Sequence, residues 1–246
     1  MRDIEVQGYI DDFDHMCAEE AARWRAFKRH APSGGRTHAN IVIHGYLTDD
    51  VVNEVEARLN AAPRAETITL HLNSGGGDVT AAEKIYAMLR GHGACVTAHC
   101  KGEVSSAAIT VLLAASKRVS EPNCRFLVHS ARGMDPAVVE AFSAIQARLA
   151  HRRCGMPTAE YYGLRIDGDR GISFDATEAN RRLLVYRIEA NRPAATVRTS
   201  HQLLSFQGLL ANRKLALKMA GRQIGIPANR IPAAALAAYQ QAWAKR

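Results

Sequence analysis

Apolar positions along this chain fall into short alternating runs separated by helical repeats. Ile41-Val42-Ile43-His44-Gly45 is β-branched and stopped by glycine, which predicts a strand. Thr48-Asp49-Asp50 follows as a helix start, and Val51, Val52, Val55 and Leu59 repeat at helical spacing up to Pro63. Thr67 to Leu72 alternates as Thr-Ile-Thr-Leu-His-Leu, a second strand. A helix is predicted from Val79 to Arg90, ended by Gly91-His92-Gly93, and then a strand from Cys95 to His99. Gly102 marks a turn, and a helix is predicted from Ser106 to Ala115. Arg118-Val119-Ser120 and Arg125 to His129 read as strands around a turn at Pro122-Asn123.

Strands alternating with helices build right-handed βαβ units, so the expected class is α/β with a largely parallel sheet. Before this core, Ala18 to His30 reads as a helix in an N-terminal segment, 1–38. After it, Pro136 to Arg153 is an amphipathic helix with Val138, Val139, Phe142, Ile145 and Leu149 on its apolar face. Ala159 to Leu164 is a short element, 167–171 a turn, and Ala176 to Leu184 a short helix. Arg192-Pro193-Ala194-Ala195 reads as a linker. Beyond it, Gln202 to Lys218 and a final Ala-rich stretch read as helices. The expected organisation is an N-terminal helical segment (1–38), a main domain (39–190) and a helical extension (191–246).

Composition changes this picture in one place. The 246 residues carry a net charge of +8, with 47% apolar and 23% charged residues. All 24 acidic residues precede residue 190, and the extension contains only basic charge. The simplest reading is a basic helical tail packed on an acidic patch of its own oligomer, with nucleic acid not expected as a partner. No apolar run is long enough for a membrane span, and the charged start lacks the apolar core of a secretion signal. The five cysteines form no C-x-x-C pair and read as reduced thiols, which points to the cytoplasm. No histidine pattern fits a metal site, so neither metal nor cofactor is expected.

Three pieces carry candidate chemistry. Ser105 and Ser106 stand at a strand-to-helix turn, where a hydroxyl is exposed and the next backbone N–H faces a developing oxyanion. The same position suits a helix cap, and local pattern does not choose between the two serines. Gly75-Gly76-Gly77 follows a strand and precedes a helix, which lets backbone N–H groups approach a ligand. It is neither G-x-G-x-x-G nor a P-loop. His129 closes an apolar strand and is a candidate base. The glycine loop and the serine turn both lie at carboxyl ends of strands, which brings them to one rim of one sheet.

Taken together, these motifs resemble the ClpP family, the proteolytic subunits of the Clp protease. Gly102-Glu103-Val104-Ser105-Ser106-Ala107-Ala108 and Glu121 to His129 are similar to its paired serine and histidine motifs. Asn73-Ser74-Gly75-Gly76-Gly77-Asp78 resembles its Asn-Ser-Pro-Gly-Gly loop, and Asp175-Ala176-Thr177-Glu178-Ala179 its Ser-Ala-x-Glu-Ala segment. The resemblance implies a ClpP/crotonase-like βαβ superhelix and a serine endopeptidase. Carried over, Ser106 is the nucleophile, His129 the base, and the N–H groups of Gly76 and Ala107 the oxyanion donors. For the orienting carboxylate, an ungapped match reaches Gly171. A two-residue insertion reaches Asp169, which is favoured over Asp167 and Asp175.

The resemblance further implies a peptide or unfolded-protein substrate, a homo-oligomer and an ATP-dependent unfoldase partner. The stretch from His129 to Gly155 is short for the family's strand-plus-helix handle, so its double ring is not carried over. Two other readings accompany this one. A crotonase-type acyl-CoA enzyme would use carboxylates as acid and base, with Glu103 beside the site as the candidate. A non-catalytic scaffold or adaptor would work through the basic extension.

Overall fold

The computed structural model describes residues 2–31, 37–131, 135–164 and 171–189. Met1–Asn191 forms one compact unit. The predicted linker at Arg192 and the helices of 202–246 lie outside the described residues, as do Asp167 and Asp169.

Seven strands and seven helices are described. They are α1 (Arg2–His30), β1 (His38–His44), α2 (Asp49–Asn60), β2 (Thr67–Ser74), α3 (Val79–His92), β3 (Cys95–Ser105) and α4 (Ala108–Ala114). The chain continues through β4 (Lys117–Ser120), β5 (Arg125–Val128), α5 (Pro136–Cys154), α6 (Thr158–Gly163), β6 (Ile172–Asp175), α7 (Ala176–Arg181) and β7 (Arg187–Ile188). The sheet order is β1-β2-β3-β4-β7, with β5 on β3 and β6 on β5. Every pairing is parallel except β5 with β6. The expected α/β fold with a largely parallel sheet is therefore present.

Side chains in β1 to β3 alternate between a buried and an open face. Ile41, Ile43, Ile68, Leu70, Leu72, Val96 and Ala98 point into the core. That face meets α2, α3 and the wholly buried α4. Burying a side chain such as Leu72 contributes about 1.5–3 kcal/mol. The opposite face presents His38, Asn40, His44, His71 and His99, which is why these strands read as alternating rather than uniformly apolar.

Two elements run well beyond their expected bounds. The first helix begins at Arg2 rather than Ala18. Its apolar positions are sparse, and Phe13 and Trp24 carry its burial. Trp24 lies edge-on to His92 at 4.6 Å, Phe13 packs on Tyr86 at 5.7 Å, and Asp14 accepts two bonds from Arg148 of α5 at 2.7 and 2.8 Å. Gly91 permits the approach, because a Cβ there would lie 2.9 Å from the Glu20 backbone.

The third strand continues six residues past the predicted end at His99. Gly102, at φ +57, is a bulge within the strand and not its terminator. Pairing steps from Leu72↔Cys100 to Ser74↔Val104, so two extra residues stand on β3. The Asn73 side chain fills the bulge, and its Oδ1 accepts the Glu103 N–H at 3.1 Å. Beyond the bulge β3 changes partner, from β4 at Thr97–Cys100 to β5 at Glu103–Ser105.

Candidate active site

The partner change delivers Ser106 to the end of β5. Ser105 pairs with Leu127, and the Ser106 N–H donates to the Leu127 carbonyl at 2.8 Å. Two residues after Leu127 the same strand end presents His129. The two sequence motifs therefore close neighbouring strands at one rim.

Ser106 adopts φ +57, a left-handed conformation that costs a non-glycine residue about 1–3 kcal/mol. The predicted helix start at Ser106 moves accordingly: Ser106 is the turn, Ala107 the cap, and α4 begins at Ala108. The two serines part company here. Ser105 is 1% exposed and donates its hydroxyl to Glu103 Oε1 at 2.6 Å. Ser106 is half-buried.

Two residues meet this turn, Gly76 and Gln146. Gly76 (φ +98) lies against it, and a Cβ on Gly76 would come within 2.7 Å of the Ser106 Cβ and 3.1 Å of the Ala107 nitrogen. Only glycine admits that approach. Gln146 of α5, 2% exposed, donates to the Ser106 carbonyl at 3.2 Å and to Thr110 Oγ1 at 3.0 Å. Its Oε1 accepts the Tyr161 hydroxyl at 2.9 Å. Sequence reading missed Gln146, which sits beside Ile145 on the apolar face of α5. The available signal was an amide inside a buried stripe, a group that needs partners.

Gly76 and Ala107 thus bring two backbone segments together beside Ser106. The Gly76 N–H donates to the buried Ser74 Oγ at 3.1 Å. Its use at an oxyanion requires that bond to yield.

His129 is half-buried, and its Nδ1 lies 2.6 Å from the Ser130 carbonyl oxygen. A carbonyl only accepts, so Nδ1 carries the proton, and in the neutral ring Nε2 is the acceptor. Gly171 packs directly on this histidine. Asp169 is two residues upstream of Gly171 in sequence and lies outside the described residues. Asp175 is placed elsewhere. It pairs with Arg125 at the far end of the β5–β6 ladder, and its Oδ1 caps α7 by accepting the Glu178 N–H at 2.8 Å. Among the described residues no group of three or more His, Cys, Asp or Glu stands together as a metal site, and no helix is long and apolar enough to cross a membrane.

Comparison with known proteins adds identity to this geometry. The family model described as Clp protease matches residues 36–188. The ATP-dependent Clp protease proteolytic subunit 1 of Rhodococcus jostii is 33% identical over 153 residues, covering 56% of this chain and 70% of that protein. Proteolytic subunit 3 of Rhizobium meliloti is 31% identical over 181 residues, covering 65% and 91%. Among solved structures, ClpP1 from Listeria monocytogenes superposes with a TM-score of 0.57 at 28% identity, covering 62% of this chain and 92% of its own. The helix α1 falls before the matched region. The chain belongs to the Clp protease family.

Proposed function

We propose that this chain is a ClpP-like serine endopeptidase. One observation carries the reading: Ser106 stands in a left-handed turn whose own N–H is tied to the strand that ends in His129. A serine hydroxyl needs a neighbouring base, and His129 has Nε2 available to accept a proton. In this reading Ser106 Oγ attacks a peptide carbonyl, and His129 takes the proton and returns it to the leaving amine. Water then attacks the acyl-enzyme by the same route. The Ala107 and Gly76 N–H groups stabilise the oxyanion, with the Ser74 hydroxyl releasing Gly76.

Asp169 is assigned the orienting role and would replace the Ser130 carbonyl on Nδ1. Because the relatives are named as ATP-dependent proteolytic subunits, peptide or unfolded protein is the proposed substrate, acting in a homo-oligomer served by an ATP-driven unfoldase. The test is covalent. A fluorophosphonate should add one adduct to the intact chain, located on Ser106 and absent from Ser106→Ala. Equal labelling of that variant overturns the assignment, and a chain without adduct favours the scaffold reading.

A further inference from the structure

The glycine loop has an outer side as well as the side that meets Ser106. Gly75 precedes the glycine in contact with the nucleophile turn. A Cβ on Gly75 would lie 3.8 Å from Glu103 Oε2 and 4.0 Å from Tyr46 Cε1. A carboxylate and an aromatic ring therefore flank one glycine at the edge of the site. Glu103 is exposed, and Tyr46 is 75% exposed.

Glu103 is held in place from both ends. Its N–H donates to Asn73, and its Oε1 accepts the Ser105 hydroxyl. Oε2 is the oxygen turned toward Gly75. Among the described residues no lysine or arginine forms an ion pair with it. Lys101 pairs with Glu121 at 3.5 Å. Arg125, the register partner of Glu103 on β5, is exposed and forms no ion pair with it.

We propose that Glu103 and Tyr46 form a cation-receiving rim, so that this site favours peptides with a lysine or arginine side chain near the cleaved bond. The chemistry is an ion pair to Oε2 combined with a cation over an aromatic face. Gly75 supplies the room, since any side chain there would enter the space between the two groups. The inference rests on the serine peptidase reading, and the two fail separately.

The experiment uses the full chain and tripeptidyl phosphonates bearing lysine, norleucine or glutamate at each position in turn, with Ser106 adduct formation followed by intact mass. At one position the lysine reagent should react about fivefold faster than norleucine, the size expected of a partly exposed charge pair, and glutamate slowest. Glu103→Gln keeps an acceptor for Ser105 and should abolish the preference for lysine over norleucine. Tyr46→Leu should reduce the preference. Equal rates for lysine and norleucine at every position, in a chain that a plain fluorophosphonate still labels, overturn the rim alone. So does a preference that survives in both variants. Failure of the plain reagent to label Ser106 overturns the peptidase reading and the rim with it.

Discussion

Gly171 lies against His129 so closely that a Cβ on the glycine would fall 2.3 Å from the histidine Cβ and 2.3 Å from the Val128 carbonyl oxygen. With φ +67, the position excludes side chains on two independent grounds. Gly171→Ala should therefore destabilise the fold by about 1–3 kcal/mol from backbone strain alone. The clash should also move His129 and slow Ser106 labelling. Urea denaturation checks the first effect and adduct kinetics the second.

The two serines should behave oppositely. Ser106→Ala should abolish labelling and peptide cleavage, a loss of about 10⁶ in kcat for comparable triads. Ser106→Gly should raise stability by about 1 kcal/mol, because glycine adopts φ +57 without strain. Ser105→Ala should retain labelling and lose about 1 kcal/mol with its bond to Glu103. Intact mass and thermal denaturation of the three variants separate these outcomes.

Removing the amide of Gln146 should be felt at the serine. Gln146→Leu deletes the donor to the Ser106 carbonyl and to Thr110, an expected cost of about 1–3 kcal/mol. A displaced nucleophile lowers kcat more than it raises KM, by up to about 100-fold. Steady-state kinetics at saturating peptide read that split.

Buried His92 and half-buried Glu83 should make stability respond to pH in opposite directions. Burial, reinforced by Lys28, lowers the His92 pKa from 6.5 to about 4. Its contribution is present above 6.5 and lost as pH falls toward 4. Burial, reinforced by Asp78, raises the Glu83 pKa from 4.5 to about 7. Its contribution is present below 4.5 and lost as pH rises toward 7. In the wild type the two slopes offset each other. Glu83→Gln should leave stability rising with pH across this window, and His92→Gln should leave it falling. Urea midpoints measured from pH 4 to pH 7 on each variant test the signs.

Much of this fold was legible because buried β-branched strands and amphipathic helices announce their own period. Ile41 to Gly45, Thr67 to Leu72 and Val79 to Arg90 are such segments. The short strands β6 and β7 were not legible. Ile172–Asp175 and Arg187–Ile188 are too brief for a period and are defined by their partners, Arg125–Val128 and Val119–Ser120. The first half of α1 was hidden because Ile4 and Tyr9 are 76% and 46% exposed, so its apolar residues trace no clean stripe. At the site, Ser105 and Ser106 are adjacent in sequence and differ only through tertiary contacts, Glu103 for one and Leu127 for the other. Asp175 is a carboxylate in reach by sequence, and only its register with Arg125 places it at the end of β5 away from His129.

The bulge at Gly102 sets a rule about chain length that no single side chain could set. Its two extra residues keep Cys100 and Val104 facing the core. Losing one residue between them would turn Glu103, Val104 and Ser105 over, driving a carboxylate inward. Losing both would restore the facing and straighten β3 along β4, carrying the serine turn away from the strand that ends in His129. Insertions and deletions at 101–103 are thus constrained by parity as well as by space.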